Sequence, residues 1–181
     1  MAFATEKSVK FTRLWAMPNS RTYSIDGMAE IIHRYLRPEL LSIDPFANNS
    51  RLATITNDLD PDCDTTYHMD AFDFFGMFDS NSVDVVLFDP PYAPRQVSEC
   101  YKKFGKTVNM ETTQSSFWGK LKKEIARVTK PNGYVLSFGY NTNGIGQELG
   151  FELIEIKLFA HGGAHNDTIV TVERKIQTKL F

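Results

Sequence analysis

The sequence predicts an α/β three-layer sandwich built on a mostly parallel sheet that ends in an antiparallel hairpin. Three observations lead there. Val83-Asp-Val-Val-Leu-Phe88 is apolar almost without interruption, the pattern of a strand buried on both faces. Shorter apolar runs around it alternate with stretches of helical periodicity, as strand–helix–strand units do. The last two runs, residues 152–160 and 168–174, are joined only by His161 to Asp167, a link tight enough for a hairpin.

Taken in order, residues 10–23 read as irregular, with Pro18, Asn19 and Ser20 as turn formers. Met28, Ile31, Ile32, Tyr35 and Leu36 then recur at helical spacing, with Ser24 as the expected N-cap and Pro38 as the stop. Strands are expected at 40–44 and 53–57, and a third, short one at 67–69. A helix follows through Phe72, Phe75 and Phe78, then the buried fourth strand. Residues 116–129 form an amphipathic helix stopped by Lys130-Pro-Asn-Gly133. Residues 134–138 are the fifth strand, and a short helix at 145–149 leads into the hairpin.

The 181 residues, 42% of them apolar, suit one domain with one sizeable core. We expect an irregular segment over 1–23 and the core over 24–176. A net charge of −2 argues against high-affinity nucleic-acid binding that ignores sequence and shape, though a local basic patch suffices for a weaker contact. Cys63 and Cys100 are too few and too far apart for a disulfide framework or a paired zinc site, and no metal site is expected. No apolar leader region and no span of membrane length is present, which predicts a soluble, cytoplasmic protein with no membrane partner.

In open parallel sheets, ligands bind beyond the carboxyl ends of the strands. At the end of the fourth strand stands Asp89-Pro90-Pro91-Tyr92. A given tetrapeptide arises by chance in a chain this long about once in a thousand sequences, so its placement after a buried strand is specific. Here the sequence resembles the amino-group DNA methyltransferases of the adenine-N6 type, whose catalytic motif is DPPY. It is similar to the reduced forms found among phage and mobile-element enzymes. The resemblance implies a Rossmann-like class I methyltransferase fold, S-adenosylmethionine as cofactor, and methyl transfer to an exocyclic amino group.

The residue types suit that chemistry. An aromatic amino nitrogen is a poor nucleophile because its lone pair is delocalised into the ring. A carboxylate (Asp89) and a carbonyl (that of Pro90) that accept its two N–H bonds favour a pyramidal nitrogen and stabilise the developing positive charge. The prolines stiffen the turn, and Tyr92 offers a face on which a flipped base can stack.

The resemblance continues upstream in the family's order. Asp44-Pro45-Phe46 is similar to the start of the cofactor motif, Asp58 to the acid that binds the ribose hydroxyls, and Asp70-Ala71 to the segment at the cofactor's adenine. Residues 19–25 resemble the segment that closes over the methionine moiety. Two departures stand out. Ala47-Asn48-Asn49-Ser50 replaces the usual glycines, and Asn is the next-best residue for a left-handed turn. About eight residues separate the first two strands, fewer than a parallel crossover normally needs.

A large target-recognition region is missing. That leaves target selection to surface loops, to a second copy, or to a partner subunit. Arg95, Lys102 and Lys103, interleaved with aromatics, suit phosphate contact and base stacking. Asn141, His161, His165 and Asn166 fall in loops expected on the catalytic edge, and are candidates for base or phosphate contacts. Asp at the first motif position leans toward adenine, and DNA is favoured over RNA. An RNA adenine-N6 or guanine-N2 enzyme stays open, as does a non-catalytic subunit that binds nucleic acid or cofactor.

Overall fold

The computed structural model describes residues 8–19, 21–91, 115–163 and 165–176. In chain order these form β1 (Lys10–Trp15), α1 (Met28–Tyr35), β2 (Ser42–Asp44), β3 (Ile55–Thr56), α2 (Ala71–Gly76), β4 (Val83–Phe88), α3 (Ser115–Val128), β5 (Thr129–Gly139), β6 (Phe151–Ala160) and β7 (Thr168–Lys175). The strands make one sheet in the order β1-β6-β7-β5-β4-β2-β3. Every neighbouring pair is parallel except the two that involve β7. No described helix is long and apolar enough to cross a membrane.

The strand buried on both faces divides the core in two. Val86 and Phe88 of β4 pack with Phe74 and Phe75 of α2 and Leu121 and Ile125 of α3. Val85 and Leu87 point the other way, against Met28, Ile31 and Ile32 of α1. Alternation along one strand thus serves two apolar layers, and the three-layer Rossmann-like sandwich follows. From β2 the chain steps outward to β3 on one side, and β4 then forms on the other. The crevice for a ligand lies at that reversal of strand order.

Several expectations are corrected. Residues 10–23 are not irregular throughout, because Lys10–Trp15 pairs with β6 as an edge strand. Phe11, Leu14 and Trp15 stay exposed there, so no alternation marked the strand. Ser24 does not cap α1. It ends a 3-10 turn, and Gly27 (φ 79°) occupies the N-cap with no side-chain bond. The third short strand is a single bridge, Asn57 to Tyr67. Residues 130–133 are an excursion within β5 rather than a turn before it, since Val83 pairs with Thr129 and Val85 with Tyr134. Around residue 147 the helix is one 3-10 turn, Gln147–Leu149. The β6–β7 hairpin forms as expected.

The short link between β2 and β3 is a loop without a helix. Strands of three and two residues leave only about 10 Å of height to recross, so a loop reaches.

A buried ionic knot fixes the outer half of the sheet. Glu155 of β6, 3% exposed, accepts from Arg34 Nη1 at 2.7 Å, Tyr35 Oη at 3.0 Å and Lys10 Nζ at 3.1 Å. Burial alone raises the Glu155 carboxyl, but these three donors outweigh it and leave the group below its usual range. One carboxylate thereby ties β1, α1 and β6 together.

Glu155→Gln should cost about 2 kcal/mol at neutral pH, the low end for a buried pair because Arg34 keeps water on one side. With a depressed native pKa, this contribution is complete above the unfolded value of 4.5 and fades as pH falls through the lower native value. Denaturant melts at pH 7 and pH 3 should show the gap between wild type and variant closing in acid. A gap that persists would mean the cost is one of packing, not charge.

Candidate functional site

Three strand ends and a helix start converge on one edge. Asp44 closes β2, Asp58 lies just past β3, Asp70 caps α2, and Asp89-Pro90-Pro91 follows β4. A cavity of about 660 Å³ opens there. Among its lining residues are Pro45, Phe46, Asp58, Asp70, Ala71, Asp89, Pro90 and Pro91, so every described catalytic and cofactor candidate but one meets in one place.

Asp44 is the exception, for it lies beneath the wall. It is fully buried, and its two oxygens accept from Phe46 N (3.0 Å) and Tyr23 Oη (3.0 Å). Its part is to fold the Pro45-Phe46 turn and hold Tyr23, rather than to meet a ligand directly. Burial pushes its carboxyl up to about 8, against the lowering effect of those two donors, and the charges of Asp89 and Asp58 push the same way.

Asp58 faces the loop after β2. Oδ2 accepts from Asn48 N and Oδ1 from Asp60 N, both at 2.9 Å, and each oxygen keeps lone-pair capacity for a further donor. Asn48 adopts φ 51°, so asparagine does supply the left-handed turn that glycine would otherwise make. The same loop is stitched by Asp64 N to Asn49 Oδ1 (2.8 Å) and by Ala47 N to Asn57 O (2.9 Å). Asp70 takes Phe72 N on Oδ1 (3.0 Å), which starts α2 at the cavity.

Three residues were missed in the sequence. Asn57, 1% exposed, donates Nδ2 to Pro45 O and Met69 O and accepts Met69 N on Oδ1, tying the ends of β2 and β3 to the start of α2 in one rim. Arg21, inside the segment expected over the methionine moiety but not singled out there, lines the first cavity. Trp118 of α3 lines this cavity and also a second one of about 300 Å³. Pro90 and Pro91 are shared by both as well, so the motif's prolines are a partition. An isolated Asn, Arg or Trp carries no pattern, and only the fold brings them together.

Of the proposed substrate contacts, Asn141 lines the second cavity, whereas His165 and Asn166 are exposed and line neither. His161 is corrected. It is 6% exposed, with Nδ1 at 2.9 Å from Ala16 O and Nε2 at 2.9 Å from Thr168 Oγ1. Both ring nitrogens are used in joining the end of β6 to β7 and to the segment after β1, so it holds the hairpin instead of reaching a ligand. Tyr92, Arg95, Lys102 and Lys103 lie outside the described residues.

Solved structures share this architecture. TrmN from Thermus thermophilus matches with a TM-score of 0.54 at 18% identity, over 86% of this chain and 50% of its own. The present chain thus spans about half the length of that protein. The Burkholderia thailandensis 1,6-didemethyltoxoflavin-N1-methyltransferase, solved with 1,6-didemethyltoxoflavin and S-adenosylhomocysteine bound, matches with a TM-score of 0.55 at 12% identity, over 82% and 76% of the two chains. A SAM-dependent methyltransferase from Methanosarcina mazei matches at 0.50 and 11% identity, over 82% and 98%. The likeness is one of fold. No protein-family model and no curated protein matches the chain.

Asp44 gives the site a pH signature. Its native pKa of about 8 stands above the unfolded 3.8, so between those values the native state holds a proton that the unfolded state has released. Stability from this group is therefore complete below about pH 4 and declines as pH rises toward 8. Asp44→Asn mimics the neutral acid and should flatten that decline. Thermal melts of the ligand-free protein at pH 5, 7 and 9 should show wild type losing more than the variant. Parallel curves would place the charge elsewhere.

Proposed function

We propose that this protein is an S-adenosylmethionine-dependent methyltransferase acting on an exocyclic amino group of a nucleic-acid base, foremost adenine N6 in DNA. The observation that carries the reading is the position of Asp89-Pro90-Pro91, a turn that ends a central strand and stands between two cavities. Donor and acceptor can then meet across it.

The first cavity fits the cofactor. Its volume of about 660 Å³ lies in the range of small-molecule sites. Asp58 offers carboxylate acceptors to a ribose diol, and Arg21 offers a guanidinium to a carboxylate. Two acidic residues, Asp58 and Asp89, line the wall, a field suited to a cationic sulfonium and ammonium. Bound there, the cofactor supplies an electrophilic methyl group.

The chain's own residues do the rest. The Asp89 carboxylate and the Pro90 carbonyl accept the two N–H bonds of the target amine, turn its lone pair toward the first cavity and stabilise its developing positive charge. The proline partition fixes their spacing. Tyr92 is proposed, from its place in the motif, to stack on the base. Arg95, Lys102 and Lys103 are proposed to contact the nucleic-acid backbone.

RNA is the second reading. Single-stranded RNA presents an unpaired base without the cost of flipping, and several RNA-binding folds take such bases one at a time. Incubation with labelled S-adenosylmethionine and either DNA or RNA, followed by nucleoside mass spectrometry, tests both. We expect N6-methyladenine in one of the two. Label in neither polymer would overturn the reading.

Asp89→Ala should abolish methyl transfer while leaving cofactor affinity within a few-fold. Titration calorimetry on the variant checks this, and loss of cofactor binding would move Asp89 out of the acceptor role. Asp58→Ala should do the converse, weakening the cofactor by about 1.5–3 kcal/mol, with turnover recovered at saturating cofactor. Unchanged affinity would place the ribose contact on another residue.

A further inference from the structure

The second cavity is lined by Phe88, Pro90, Pro91, Trp118, Lys122 and the loop from Gly139 to Gly144. Trp118 and Lys122 are one turn apart on α3, and so lie on one stripe of the helix. Lys122 is partly buried, yet among the described residues its ammonium has no hydrogen-bond or ion-pair partner. The protein treats its other buried lysines differently. Lys175 donates to Asn81 Oδ1, Ala126 O and Thr129 O, and Lys157 to Gly27 O and Glu30.

Glu173 is the nearest candidate counter-charge, and it is committed elsewhere. It is 3% exposed, and its carboxylate accepts the backbone N–H groups of Ile145 and Gly146. It attracts Lys122 only through space, which does not offset the desolvation that lowers the lysine's pKa. A cation kept partly dry on a cavity wall without a partner is completed by an anion from the ligand.

We propose that Lys122 is the anion contact of an acceptor subsite in the second cavity, taking a phosphate of a nucleotide whose base lies against Trp118 and the Pro90-Pro91 partition. This rests on the methyltransferase reading for the identity of the cavity, and it names the acceptor class: a phosphate-bearing nucleotide, not a neutral heterocycle. At about 300 Å³ the space admits one nucleotide and no duplex, so the base enters unpaired or flipped out. The exposed ring of Tyr140 and the amides of Asn141 and Asn143, on the same wall, are placed to meet the base.

The test is equilibrium binding on the full chain with saturating S-adenosylhomocysteine, whose own affinity is measured separately by calorimetry. The probes are a fluorescein-labelled single-stranded oligonucleotide, as DNA and as RNA, together with adenosine 5′-monophosphate and adenosine. Wild type should favour phosphate-bearing probes over adenosine by about tenfold, the scale of one charge-assisted contact. Lys122→Gln should remove that preference and leave adenosine within twofold, and Lys122→Arg should keep most of it. The salt slope for the oligonucleotide should fall by about one in the Gln variant.

Loss of preference for the monophosphate assigns a terminal phosphate, and loss confined to the oligonucleotide assigns a phosphodiester; each supports the subsite. Lys122→Gln binding like wild type, or a wild type indifferent to phosphate, overturns it. Failure of S-adenosylhomocysteine to bind wild type would instead sink the methyltransferase reading, so the two failures are distinguishable.

Discussion

Parallel pairing of β3, β2, β4 and β5 is the constraint from which the site follows. Strands that all point the same way deliver their last residues to one edge, and the reversal of strand order between β2 and β4 opens a crevice there. Asp44, Asp58 and Asp89 are far apart in the chain and neighbours in space for that reason alone. Gathering acids has a cost, since each charge raises the free energy of the next. The deepest of the three, Asp44, answers it by holding its proton, while Asp58 satisfies backbone N–H groups on the rim. A cationic ligand would relieve the same repulsion, which links the electrostatics of the site to the chemistry proposed for it.

Charges elsewhere are handled in the opposite way. Glu155, Lys157 and Lys175 in the hairpin are as buried as much of the core, yet every one is closed off by protein partners. These contacts fasten β1 to β6, α1 to the sheet, and the C-terminal end of α3 to β7. A buried pair that is complete adds little net stability but fixes one arrangement, because breaking it leaves a charge stranded. The outer half of the sheet is thus a rigid frame.

What could be read in the sequence followed from how local its cause was. β4 was legible to the residue because burial on both faces leaves an unbroken apolar run, and the hairpin was legible because its link is too short for anything else. Asp58 and Asp70 could be placed because they stand at element boundaries, where acids have local work as turn and cap acceptors. β1 was missed because an edge strand with exposed Phe11 and Trp15 has no inside face to set a period. The start of α1 was missed because Gly27 reaches its left-handed φ without any capping side chain to announce it. His161 looked like a ligand contact from its Gly-rich surroundings. Its two hydrogen bonds reach residues 145 and 7 positions away, one of them a partner no local reading could supply.

The pairing of Trp118 with Lys122 shows where such reading stops. In the sequence, α3 is an amphipathic helix whose apolar stripe, Phe117, Leu121, Ile125 and Val128, accounts for its place in the core. Its remaining residues look like solvated flank. The sheet edge ends beside that flank, so the stripe one residue over faces the second cavity instead of water. A helix held by the core on one side and lining a cavity with the next keeps its cavity-facing side chains at a fixed height. Packing of Leu121 and Ile125 sets the height of Trp118 and Lys122 against Pro90 and Pro91, and so the depth of the second cavity.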